Sequence, residues 1–156
     1  MALFLSTFIN RIDRKGRVSV PATFRAALDD QQFQGIVAFP SFRTAYDAIE
    51  GCGMDRMARL SGAVDTLNPF SDEHDDFATT IFGSVSQLPF DGDGRIILPQ
   101  HLCEHAGITD QAAFIGRGAT FQIWEPERLR LFQAAARERA RDARARLALS
   151  DGGGKV

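Results

Sequence analysis

A half-apolar segment, FLSTFI (Phe4–Ile9), predicts a strand and leads into a tight D-x-x-G-R turn at Asp13–Arg17. The triplet Val18-Ser19-Val20 follows, then Pro21, suited to the first position of a helix because its missing N–H is not needed there. A short helix is predicted over Pro21–Leu28. The same order returns 78 positions later: SVSQLPF (Ser84–Phe90), the turn Asp91–Arg95, the triplet Ile96-Ile97-Leu98, Pro99, and a helix to Ala106. Two further strand candidates follow each helix, GIVAFP and SFRTAY in the first copy, AAFIGR and TFQIW in the second. Carried to the hairpin ends, the offset of 78 pairs Tyr46 with Trp124.

Each copy is thus a β-α-β-β unit of about 35 residues, too small to bury a core alone, so two copies are expected to close on each other. The predicted class is α+β. Between the copies, helices are expected over Asp47–Leu60 and Ser71–Phe82, the second with acidic residues in its first turn. A long helix is expected after Pro126, with Leu129, Phe132, Ala136, Ala140, Ala143 and Leu147 forming a narrow stripe suited to another helix. The tail SDGGGKV is expected to be disordered. The organisation is therefore a first repeat over 1–50, a helical segment over 51–83, a second repeat over 84–128, and the C-terminal helix and tail over 129–156.

Composition adds little until charge is mapped along the chain. The 156 residues are 44% apolar and 24% charged, as in globular proteins that fold in water. No apolar run nears the roughly 18–20 residues that span a bilayer. The opening MALFLSTFIN lacks a basic segment and is interrupted by Ser6, Thr7 and Asn10, so it is taken as a strand rather than a signal peptide. Cys52 and Cys103 sit in dissimilar contexts and suggest no disulfide framework, so a reducing cytoplasm is the expected location. The net charge of −2 conceals an uneven distribution: +4 over residues 1–28, −7 over 29–90, −3 over 91–128 and +4 over 129–156. Only local basic patches can therefore attract a polyanion.

The first turn is such a patch. Asp13 can accept from backbone N–H groups two or three residues on, and Gly16 supplies a positive φ. That turn would hold Arg14, Lys15 and Arg17 at a hairpin tip, with Arg11 just before it. Arg17 offers a planar fork for phosphate oxygens or a guanine edge, Lys15 a point charge for phosphate, and a two-stranded ribbon fits the major groove. The bland alternative is that Asp13 and Arg17 pair across the turn without a ligand. Counting Asp13, Arg14, Lys15 and Arg17, the first tip carries +2, and +3 with Arg11; Asp91, Asp93 and Arg95 give the second −1. Gly94 has the same turn-forming place as Gly16, and Arg95 has both Asp91 and Asp93 within reach.

The doubled motif, Asp13-Arg14-Lys15-Gly16-Arg17-Val18-Ser19-Val20-Pro21 and Asp91-Gly92-Asp93-Gly94-Arg95, resembles the MraZ family of bacterial transcriptional regulators, whose domain is AbrB-like. The second copy departs from the pattern where Asp93 replaces an expected lysine. The resemblance implies a swapped-hairpin AbrB-like barrel, a homo-oligomer closed into a ring, and no cofactor or catalysis. It further implies a repressor bound to repeated boxes in double-stranded promoter DNA, at the operon for cell division and cell-wall synthesis that includes its own gene. Arg11, Arg14, Lys15, Gly16, Arg17 and Arg95 become the expected DNA-binding residues, and the location cytoplasmic and nucleoid-associated.

HLCEH, His101 to His105, fits an H-x-x-E-H zinc-hydrolase pattern with Glu104 between the histidines and Cys103 as a soft ligand, but no third partner is evident. A small hydrolase using His101, Glu104 and His105, or a ring-forming protein-interaction module, are the alternative functions. The run SDEHDD lacks the spacing of a calcium loop, and GCG and GGG lack the flanks of a phosphate loop. Arg130, Arg137, Arg139, Arg141, Arg144 and Arg146 could meet an anion, although Glu138–Arg141 and Asp142–Arg146 pairing would offset them.

Overall fold

Eight strands and five α-helices follow one another in a computed structural model that describes residues 3–43 and 45–154. In chain order they are β1 (Thr7–Arg11), β2 (Arg17–Ser19), α1 (Ala22–Ala27), β3 (Gly35–Pro40), β4 (Ile49–Cys52), α2 (Met54–Val64), α3 (Asp72–Thr80), a 3-10 turn (Phe82–Ser84), β5 (Ser86–Pro89), β6 (Arg95–Ile97), α4 (Gln100–Ala106), β7 (Gln111–Gly116), β8 (Phe121–Trp124) and α5 (Pro126–Gly154). Two compact units result, one ending at Glu125 and one beginning at Pro126. Among the described residues no helix is long and apolar enough to cross a membrane.

In the first unit, the two copies exchange strands. β1 of the first copy pairs with β7 of the second, Phe8 opposite Phe114, and β5 of the second pairs with β3 of the first, Leu88 opposite Ile36. β4 and β8 meet at the centre, Ile49 opposite Ile123. The sheet order β1-β7-β8-β4-β3-β5 is unchanged when the copies are swapped and the order reversed, a pseudo-two-fold between β8 and β4. Neither copy has a complete sheet of its own.

β2 and β6 form a separate antiparallel ribbon, Val18 opposite Ile96. The expected closed barrel is therefore not what the hydrogen bonds draw. Each ribbon strand is three residues long and pairs with its counterpart, and an isolated Ile12–Val18 bridge just past the end of β1 ties β2 back to the preceding segment. β1 and β5 remain sheet edges.

Phe24 sits at the middle of the core with no exposed surface, ringed by Phe4 at 5.3 Å, Phe121 at 5.2 Å, Phe8 at 5.8 Å and Phe114 at 6.3 Å between centroids. Val18, Ile96, Leu102 and Ile36 complete that core. The opposite face of β3 packs elsewhere: Val37 and Phe39 join Cys52, Met57 and Ile81 in a second cluster beneath α2. β3 is thus buried on both sides, which explains its unbroken apolar sequence.

Several sequence expectations shift. The described residues of SFRTAY form no strand, and Thr44 lies outside the described residues; β4 begins at Ile49, because eight residues (41–48) join β3 to β4 whereas four (117–120) join β7 to β8. The offset between copies accordingly falls from 78 at the turns to 76 at β3 and β7 and 72 at β4 and β8. Tyr46 is therefore not the equivalent of Trp124, but it stacks against it at 5.0 Å. The helix expected from Asp47 starts only at Met54. At Gly51 the β4 backbone runs so close to Phe121 that an added Cβ would stand 2.4 Å from its ring. Pro21 and Pro99 occupy the cap position with extended ψ of 138° and 144°, one residue before each helix begins. α3 begins as expected after Ser71, whose hydroxyl accepts from the His74 N–H at 3.1 Å. The expected disordered tail is helical through Gly154; Lys155 and Val156 lie outside the described residues.

Replacing Phe24 by alanine should remove the ring around which four others pack and cost about 3–5 kcal/mol. Urea unfolding checks this; a loss below about 1 kcal/mol would mean that Phe24 does not centre the core.

Candidate nucleic-acid interface

The two D-x-x-G-R turns are built alike. In the first, Asp13 Oδ1 accepts from the N–H groups of Lys15 and Arg17, both at 2.9 Å, while Oδ2 accepts from Arg17 Nε at 2.7 Å. In the second, Asp91 Oδ1 accepts from Asp93 N–H at 2.8 Å and Arg95 N–H at 2.9 Å, and Oδ2 from Arg95 Nε at 2.9 Å. Gly16 and Gly94 take φ of 84° and 74°, which L side chains rarely adopt. Each carboxylate therefore shapes the backbone of its turn and fixes the following arginine, so the pairing weighed as an alternative to ligand binding does occur.

That pairing leaves the two arginines unequal. Among the described residues Arg17 is held through Nε alone, so its two terminal amino groups remain available. Arg95 also donates from Nη2 to Asp93 Oδ2 at 3.3 Å. Asp93, the residue that breaks the repeat, takes up part of the second fork. Arg14 and Lys15 at the first tip are exposed, as is Arg11 at the end of β1.

The ribbon register decides what faces outward. Arg17 lies opposite Ile97 and Ser19 opposite Arg95, with Val18 and Ile96 between them turned into the core. Because side chains alternate, Arg17, Ser19, Arg95 and Ile97 share the outer face. Ile97 is 63% exposed and Ser19 is exposed. The two arginines lie diagonally, about 8 Å apart at Cα from standard strand spacings. Because the strands are antiparallel, the two turns stand at opposite ends of the ribbon. Ser19 and Ile97 were not singled out from sequence, since their shared face follows only from knowing that β2 pairs with β6.

The other sequence candidates do not converge. His105 Nε2 is 3.1 Å from the Ala48 carbonyl oxygen, Glu104 accepts from Gln100, and His101 is exposed. Among the described residues no three His, Cys, Asp or Glu side chains gather as metal ligands. Burial pushes the Cys52 thiol up to about 12, and burial likewise raises Cys103. On α5, Glu127 pairs with Arg130 at 2.7 Å and Glu138 with Arg141 at 3.9 Å, whereas the expected Asp142–Arg146 pair is not formed.

The backbone N–H of Arg17 is the chief cause that lowers the pKa of Asp13, and the N–H of Arg95 does the same for Asp91. A carboxyl whose folded pKa lies below its unfolded value of about 3.9 stabilises the fold above that value and loses the contribution as pH falls through the folded one. Urea midpoints should hold steady from about pH 7 to 5 and drop below about pH 4. Asp13→Asn combined with Asp91→Asn should start lower at neutral pH and fall less; an equally steep fall would show that other carboxyls control acid stability.

The family model described as "MraZ protein, putative antitoxin-like" matches residues 81–151. Proteins named transcriptional regulator MraZ align over nearly the whole chain. That of Rickettsia akari (strain Hartford) is 46% identical over 144 residues, covering 92% of this chain and 95% of the relative. That of Rickettsia bellii (strain OSU 85-389) is 48% identical over 145 residues with the same coverage, and that of Rickettsia rickettsii (strain Sheila Smith) 47% over 144 residues. With the doubled turn, the exchanged strands and this full-length likeness together, the chain belongs to the MraZ family.

Proposed function

We propose that this protein is a transcriptional regulator without enzymatic activity, which binds double-stranded promoter DNA through the outer face of the β2–β6 ribbon and the turn at its basic end. The observation that carries the reading is the register that turns Arg17, Ser19, Arg95 and Ile97 outward together, with Arg11, Arg14 and Lys15 beside them. A ribbon of this width fits the major groove, where Arg17 can reach a guanine edge or a phosphate and Ile97 can meet a thymine methyl. Asp13 orients Arg17 before DNA arrives, so little side-chain freedom is lost on binding. The relatives' name supports the regulatory role.

The finer reading follows the family resemblance: a swapped-hairpin AbrB-like unit, assembled with copies of itself into a ring, repressing a division and cell-wall operon from repeated boxes upstream of its own gene. The exchange of β1 and β5 between the copies supports the swapped arrangement. In a ring, weak single contacts multiply when the boxes match the spacing of the subunits. The protein would act in the cytoplasm, at the nucleoid, with no bound cofactor.

Arg17→Ala should abolish binding to the DNA upstream of the coding sequence, while Arg95→Ala, whose fork is already shared between Asp91 and Asp93, should weaken it less. Gel shifts across a salt series, with circular dichroism to confirm folding, check this. Equal losses would remove the proposed asymmetry, and undiminished binding by Arg17→Ala would remove the site.

A further inference from the structure

Arg25 belongs to α1 of the first copy, yet it packs against the turn of the second. Its Cζ and Nη1 both lie 2.5 Å, and its Nε 2.7 Å, from where a Cβ would stand on Gly94, so the guanidinium lies face-on over the turn. Its Nε donates to the Val20 carbonyl at 3.1 Å, and the Val20 N–H donates in turn to the Gly94 carbonyl at 3.1 Å. The chain of bonds runs from one copy's helix to the other copy's turn.

The two-fold-related corner has the same backbone bond, Leu98 N–H to the Gly16 carbonyl at 2.8 Å, but Cys103 in the place of Arg25, its Sγ 3.9 Å from the Leu98 oxygen. The two corners are thus backed in opposite ways. A neutral thiol lies behind the turn that carries Arg14 and Lys15; a guanidinium lies behind the turn that carries Asp91 and Asp93. Arg25 offsets one of the carboxylates at the second corner, where Asp29 of the same first-copy segment also lines the cleft.

A clamp on Val20 needs one donor, and Nε supplies it. Among the described residues Nη1 and Nη2 of Arg25 have no acceptor, and no carboxylate pairs with it, although Asp29 and Asp91 line the same polar cleft. The side chain is half-buried, with that cleft open at the end of the ribbon. A fork of two unused donors, held rigid by its own Nε, is what binds a phosphate oxygen pair.

We propose that Arg25 is a further DNA-binding residue: it supplies from the first repeat the cation that the second turn lacks, and takes a backbone phosphate beside that turn. This rests on the DNA-binding reading above. Its position beside the turn, off the ribbon's outer face, suits a phosphate rather than a base edge.

The test measures affinity for a duplex carrying the DNA immediately upstream of the coding sequence, for wild type, Arg25→Gln and Arg25→Lys, from about 50 to 200 mM salt. Glutamine keeps a donor for Val20 but no charge, and lysine keeps the charge without the fork. Losing one phosphate contact flattens log K against log salt by about 0.9, so the Arg25→Gln deficit should shrink about 3.5-fold over that range for each engaged copy. Arg25→Lys should keep the wild-type slope, with circular dichroism and melting confirming that both variants fold. A wild-type slope in Arg25→Gln, or equal flattening in both variants, overturns the proposal and makes Arg25 a structural clamp. Wild type that does not bind the duplex overturns the DNA-binding reading itself.

Discussion

The pairing of Val18 with Ile96 is the contact on which the rest of the arrangement depends. It joins the two copies at their pseudo-two-fold, sends both side chains into the shared core, and by alternation sends their neighbours outward. A slip of one residue would expose the two aliphatic side chains and bury Arg17 and Arg95, at the cost of stranding charge in an apolar interior. The burial that holds the ribbon in register is therefore also what presents the proposed DNA-binding face. Fold and function share one constraint here.

Duplication gives the two ends of the ribbon the same backbone, and side chains then make them different. Both turns rest on an aspartate that accepts two N–H groups and one arginine Nε. The first adds exposed cations; the second adds Asp93, which takes up part of the Arg95 fork, and takes Arg25 across from the other copy. A single chain thereby offers two unlike corners on a near-symmetric frame, a strongly basic one and one of mixed charge. DNA, whose phosphates repeat at fixed spacing, can engage both if the second cation comes from Arg25.

What the sequence made legible was local. The aspartate, glycine and arginine of each turn and the acidic first turn of α3 act within a few residues and are found in place, whereas each proline stands one residue before its helix rather than at its first position. What stayed hidden was set by distant partners. The longer loop at 41–48 shifts β4 without leaving a trace in its residue types, so sequence alone places the strand at SFRTAY and pairs Tyr46 with Trp124. The open sheet with a separate ribbon, in place of a barrel, depends on which short strands find each other. Ser19 and Ile97 could be assigned to one face only after that pairing was known. Nothing local marks Arg25, because Gly94, on which it lies, is in the other copy.

The central claim is that DNA meets the outer face of the β2–β6 ribbon. A photoreactive amino acid placed at Ile97, which projects from that face with 63% exposure, tests it without disturbing the turns. Irradiated with the upstream duplex, it should cross-link to DNA, while the same probe at Phe77, exposed on the acidic helix α3, should not. Cross-linking from Phe77 and none from Ile97 would contradict the account.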